Sequence, residues 1–138
     1  TRDGSTREVI KTERARDAND NDGFLCVSLE DVKSNFSKSS VDMSGVHFVK
    51  GDVGETLLKK RNLPKQIAIL RLDTDYYKST KIEMEILYPL LSKKGVLLID
   101  DYGHWVGARK AVEEFFANSK YSRPFFQYTD NTGRAGIK

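Results

Sequence analysis

The 138-residue sequence holds one cysteine, three prolines and no long apolar run, and each shortage removes a class of protein. The lone cysteine, Cys26, rules out an internal disulfide framework and offers no metal-ligand spacing, so it reads as a buried, inert thiol. No segment approaches the roughly 18 consecutive apolar residues of a membrane span. No signal peptide is recognised at the start, and a cytoplasmic location is the expectation. A net charge of only +3, with no block of five basic residues, argues against nucleic acid as a partner. Neither a repeat nor a low-complexity tract is visible. With 38% hydrophobic and 31% charged residues, the composition is that of an ordinary globular domain. The first residue is Thr1 rather than Met, which suggests a processed or cut piece.

What the sequence does have is concentrated between Gln66 and Lys110. Two apolar runs there each end in a pair of carboxylates. Ile67-Ala68-Ile69-Leu70-Arg71-Leu72 closes on Asp73-Thr74-Asp75, and Gly95-Val96-Leu97-Leu98-Ile99 closes on Asp100-Asp101. Short branched apolar runs bounded by turn formers predict strands buried on both faces, as in a parallel sheet. In open α/β sheets ligands bind beyond the carboxyl ends of the strands. Four carboxylates are thus delivered to the edge where chemistry sits.

The remaining elements follow from local signals. Residues 1–23 have almost no large apolar groups and predict a flexible arm or a lid. Ser28 and Asp31 form a capping pair for a short amphipathic helix over 29–38, with Leu29, Val32 and Phe36 at helical spacing. Val46 to Lys50 predicts a strand, in which His47 is an ordinary strand side chain. Gly54 to Arg61 predicts a short helix with Leu57 and Leu58 facing inward. A longer helix is expected from Ser79 or Thr80 to Lys94, with Ile82, Ile86, Leu87, Leu90 and Leu91 inward. Pro89 should kink it, Lys93 and Lys94 should lie at the negative end of its dipole, and Gly95 should stop it. Ala108, Ala111, Val112, Phe115 and Phe116 mark a helix over 106–118. The last stretch predicts two strands joined at Asp130-Asn131-Thr132-Gly133, an antiparallel hairpin. The element order indicates an α/β fold with an antiparallel edge.

Four carboxylates at one sheet edge repel unless a cation sits among them or one keeps a proton. A plain structural account has Asp73 capping the next helix, Asp75 facing water, and Asp100 or Asp101 paired with Arg71 or Arg109. The chemical account gives them a hard divalent cation such as Mg²⁺, for which two or three carboxylates suffice. A carboxylate left over then serves as base towards a hydroxyl that the ion acidifies.

The segments LRLDTDYYKST and ILYPLLSKKGVLLIDDYGHWVGARKAVEEFF, with VSLEDVKSNF and HFVKGDVGETL upstream and YTDNTGRAGIK downstream, resemble the macrocin O-methyltransferase family over about 24–138. These are metal- and S-adenosylmethionine-dependent enzymes that methylate sugar hydroxyls on natural products. The resemblance implies a Rossmann-like class I methyltransferase sheet, mostly parallel, with an antiparallel C-terminal hairpin. It also implies Asp73, Asp100 and Asp101 as metal ligands and Asp75 as the base. Asp52 would approach the cofactor adenine and Val53 would pack on it. The cofactors implied are S-adenosyl-L-methionine and Mg²⁺ or another hard dication; the partner is a small glycosylated hydroxyl acceptor, and self-association is compatible with it. Tyr76, Tyr77, His104 and Trp105 are candidates for lining the acceptor pocket, against the plainer reading of packing and capping groups. Arg134 reads as a tie for the hairpin.

One departure stands out. The family's first strand, its glycine-rich loop and the following strand with its ribose-binding acid have no counterpart here. The chain therefore resembles the C-terminal part of such an enzyme, inactive in isolation. Two other readings compete: a truncated metal-binding domain without turnover, and a haloacid-dehalogenase-like Mg²⁺ phosphatase. Against the latter, Tyr77 stands where threonine or valine is wanted, and Asp73 to Asp100 is too short a span for its intervening motifs.

Overall fold

The central unit is a strand–helix–strand crossover, β1 (Ile67–Leu72), α3 (Tyr77–Leu87) and β2 (Leu91–Ile99), in which β1 and β2 pair in parallel. A computed structural model describes residues 28–39 and 42–138. The arm expected over 1–23, and Cys26, lie outside the described residues. Before the crossover come α1 (Leu29–Lys38) and a one-turn helix α2 (Val53–Thr56). After it come α4 (Val106–Asn118), β3 (Gln127–Tyr128) and β4 (Arg134–Ile137). The sheet order is β1-β2-β4-β3, with β4 antiparallel to both of its neighbours. The α/β class, the mixed sheet and the C-terminal hairpin agree with the sequence.

Side-chain alternation fixes which face each strand residue joins. Leu70 and Leu72 on β1 align with Leu97 and Ile99 on β2, and all four are at most 5% exposed. Against this face pack Met84 and Tyr88 after β1, and Ala108, Ala111, Val112 and Phe116 from α4. Tyr88 meets Phe115, Phe116 and Tyr121 edge-on at ring separations of 5.1–5.3 Å, so an aromatic cluster closes one end of the core. Burying each such side chain contributes about 1.5–3 kcal/mol.

Several expectations are corrected. The strand over 46–50 is extended chain without a ladder partner among the described residues, since a strand requires a neighbour to exchange backbone hydrogen bonds. Phe48 instead packs edge-on against Phe36 of α1. The helix expected over 54–61 divides into α2 and a 3-10 turn at Lys60–Asn62, leaving Leu58 68% exposed. The long helix ends at Leu87, not Lys94. Pro89 lacks a donor and its ring clashes with the preceding turn, so a 3-10 turn, Tyr88–Leu90, leads directly into β2. Leu91, Lys93 and Lys94 are therefore strand residues. The cation at the helix's carbonyl end is Lys138, whose Nζ donates to the carbonyls of Tyr88 and Leu91 at 2.8 and 2.7 Å. The inner face of α3 carries Thr80, Glu83 and Met84, whereas Ile82 and Ile86 are half-buried.

Neither run is buried on both faces. Opposite the helices, Ile69 of β1 and Ile137 of β4 are 64% and 66% exposed.

Candidate functional site

Because β1 and β2 run parallel and in register, Leu72 beside Ile99, both carboxylate pairs emerge at one edge of the sheet. The Asp100 amide donates to the Leu72 carbonyl at 3.0 Å and carries the ladder one residue past the strands. Alternation puts Asp73 and Asp100 on the same face as Arg71. The Arg71 guanidinium spans them, Nη1 to Asp73 at 2.6 Å and Nη2 to Asp100 at 2.7 Å.

The residues brought together are Asp73, Asp75 and Asp101, each offering a carboxylate oxygen within 4.8 Å of the others. This differs from the expected ligand set of Asp73, Asp100 and Asp101. Asp100 is turned to Arg71, while Asp75 swings in because its backbone leaves the extended conformation at φ 62°. In a continuing strand, residues 73 and 75 would project in parallel, about 6.6 Å apart. The Tyr76 amide donates to the Thr74 carbonyl at 2.6 Å, a three-residue turn that draws the two carboxylates towards one point. Left-handed backbone is costly for a non-glycine residue and clusters at functional sites.

Electrostatics follow from this crowding. Partial burial, then the hydrogen bond and charge of Asp101, then the charges of Asp73 and Asp100, push the Asp75 carboxyl up to about 6. Burial and the neighbouring Asp100 raise Asp73 as well, against the opposing pull of Arg71. The donor set suits a hard dication. Octahedral oxygens at about 2.1 Å from an ion lie about 3–4.2 Å apart, within a small adjustment of the observed spread.

Around the carboxylates, the Asp101 carbonyl accepts the amides of His104 and Trp105 at 3.0 and 2.9 Å, forming the turn into α4. The Trp105 ring lies 5.9 Å from Tyr76 and 5.0 Å from His104, so three of the four proposed pocket residues form one aromatic group. Tyr77 does not join it. Its hydroxyl donates to Glu114 of α4 at 2.6 Å, with Lys81 and Lys110 over its ring, in the seam between α3 and α4. Asp52 accepts the Gly54 amide at 2.7 Å and caps α2, which Val53 begins; α2 packs against α3. Arg134 ties the hairpin as expected, donating to the Thr132 and Gly133 carbonyls. The same turn backs onto Asp100, and a Cβ at Gly133 would collide with Thr129 Oγ1. A cavity of about 230 Å³ opens beside it, lined by Arg71, Asp100, Thr129, Asp130 and Arg134.

Glu83 was not foreseen from the sequence. It is 6% exposed and accepts the Thr74 hydroxyl at 2.8 Å. Burial, supplemented by the charge of Asp73, pushes it up to about 7, and the Thr74 bond pulls the other way. The available signal was an acid three residues after Thr80, on the helix face that also buries Met84.

The profile of the macrocin-O-methyltransferase (TylF) family matches residues 5–135. The chain belongs to this family. Within it, the chain is 35% identical over 115 residues to a Streptomyces olivaceus protein, 8-demethyl-8-(2,3-dimethoxy-alpha-L-rhamnosyl)-tetracenomycin-C 4'-O-methyltransferase, covering 83% of this chain and 42% of the relative. It is likewise 35% identical over 94 residues to demethyldecarbamoylnovobiocin O-methyltransferase of Streptomyces niveus, covering 67% of this chain and 35% of that protein. The solved structure of the O-methyltransferase NovP superposes with a TM-score of 0.80 at 28% identity, over 91% of this chain and 51% of NovP. The chain thus spans about half of that structure, and less of these two relatives.

Proposed function

We propose that this chain forms the metal-binding and acceptor-facing part of an O-methyltransferase that moves the methyl group of S-adenosylmethionine to a sugar hydroxyl on a natural product. The observation that carries this reading is the convergence of Asp73, Asp75 and Asp101 at the end of two parallel strands in a member of this family. Asp73 and Asp101 would hold the dication, with Asp100 beside them under the control of Arg71. Asp75 has two parts: it completes the oxygen set and receives the acceptor's proton. The Asp75 oxygen left free of the ion would be the proton's destination, since its side chain lies within reach of the same point as Asp73 and Asp101. Bound there, Mg²⁺ or another hard dication would orient the acceptor oxygen and lower the pKa of its hydroxyl. Tyr76, His104 and Trp105 supply flat apolar surface for the sugar and exclude water. Asp52 and Val53, at the start of α2, are placed in this reading towards the adenine of the cofactor. Tyr77 stays in the helix seam.

The test is methyl transfer from S-adenosylmethionine to rhamnosylated acceptors by the complete polypeptide carrying this chain, with and without EDTA. Loss of turnover with the chelator, restored by Mg²⁺, together with a loss of at least about 10²-fold in Asp75→Asn, is the expected result. Turnover indifferent to both treatments would refute the assignment.

A further inference from the structure

Thr74, the residue between two converging carboxylates, is held through both its hydroxyl and its carbonyl. Its hydroxyl donates to Glu83 at 2.8 Å, and its carbonyl accepts the Tyr76 amide at 2.6 Å and the Ser79 hydroxyl at 3.1 Å. Ser79 and Glu83 stand four residues apart on α3, one turn of helix, so a single helix face grips the loop twice. Glu83 is an expensive occupant of its position. A carboxyl 6% exposed among Thr80, Met84 and the core costs more than an apolar residue of the same size. The hydrogen bond it accepts from Thr74 offsets part of that cost. The left-handed backbone at Asp75 likewise persists only where its surroundings restrain it.

We infer that Glu83 is a positioning residue: through the Thr74 hydroxyl it sets the directions in which Asp73 and Asp75 present their carboxylates to a shared cation. The inference rests on the metal-binding reading above and deepens it. Fixing the Thr74 side chain fixes the backbone on both sides of it, and hence the two Cα–Cβ vectors that aim the carboxylates. Such supports behind metal ligands are worth about 10- to 100-fold in metal affinity.

Calorimetric titration of Mn²⁺ into the full 138-residue chain tests this, beside amide hydrogen exchange across residues 73–77. The variants are Thr74→Val, Glu83→Gln, Glu83→Leu and the Thr74→Val/Glu83→Leu double substitution. Thr74→Val and Glu83→Leu should each lower Mn²⁺ affinity about 10- to 100-fold. The double variant should fall no further than the worse single one, because both delete the same bond. Glu83→Gln, whose amide oxygen accepts the same hydroxyl, should recover most of the affinity; a residue needed only for packing would not separate glutamine from leucine in this way. Wild-type affinity in folded Glu83→Leu and Thr74→Val overturns the inference, as does a loss in Glu83→Gln equal to that in Glu83→Leu. Should Glu83→Leu fail to fold, Thr74→Val decides. Should the wild-type chain bind no Mn²⁺, the metal reading falls. Exchange across 73–77 then decides the positioning role, with faster exchange in Thr74→Val supporting it and unchanged exchange refuting it.

Discussion

The two faces of the sheet are built from the same strands yet obey different rules. On the helix-covered face, Leu70, Leu72, Leu97 and Ile99 are at most 5% exposed, and the charged Arg134 enters only at the end of the row, beside Ile99. On the other face Ile69 and Ile137 stand more than 60% exposed, and Arg71 occupies the row that ends in Asp73 and Asp100. Stability resides on the first face. The candidate chemistry starts from the second, where Arg71 reaches two carboxylates that the covered face would exclude. The difference is one of dielectric: a charge is affordable where water reaches it and costly where it does not.

Leu97→Ala should have the largest effect. It empties a fully enclosed site on the covered face and should cost about 2–5 kcal/mol in urea unfolding of the chain. A cost below about 1 kcal/mol would mean the two faces are not so different.

Glu83 is a charged group on the covered side and sharpens the contrast. Its carboxyl rises from 4.5 to about 7 on folding, so the folded chain holds the proton more tightly than the unfolded one. Stability from this group is full below pH 4.5 and declines as pH rises to about 7, by about 3 kcal/mol at most. Asp75, raised to about 6, acts in the same direction over a lower window. Urea unfolding in EDTA at pH 5 and pH 8 should therefore show a less stable chain at pH 8, and Glu83→Gln should remove most of the difference. An equal loss in wild type and variant would place the linkage elsewhere.

Arg71→Gln tests the exposed pairings. With the Arg71 side chain 54% exposed and its partners 43% and 39%, the substitution should cost no more than about 1 kcal/mol. Ile69→Thr, at a 64% exposed position, should stay within about 0.5 kcal/mol. A larger loss at Ile69, measured by the same unfolding experiment, would reveal that this face is covered after all.

Much of the fold was legible because its signals are local. Ser28 and Asp31 announced α1, and the Ser28 side chain does accept the Asp31 amide. The spacing of Ala108, Ala111, Val112 and Phe116 gave the inner face of α4, and the 130–133 turn gave the hairpin. Other features were not local. Pro89 was visible, but whether it bends a helix or ends it depends on whether a strand is ready to take the chain; here β2 begins at Leu91, two residues later. Residues 46–50 have strand composition, yet pairing requires a neighbour that composition cannot supply. At the site, the four carboxylates were readable as a group from two strand ends. Their division was not, because the backbone turn at Asp75 and the reach of Arg71 decide which oxygens meet.

From its residues alone this chain declares which segments are apolar, where they stop, and that acids follow two of them, since periodicity and turn chemistry act over a few residues. The pairing of β1 with β2, the burial of Glu83 beneath Thr74 and the meeting of Asp73, Asp75 and Asp101 belong to the tertiary structure. Each depends on groups distant in sequence arriving at the same point, and no local rule carries that distance.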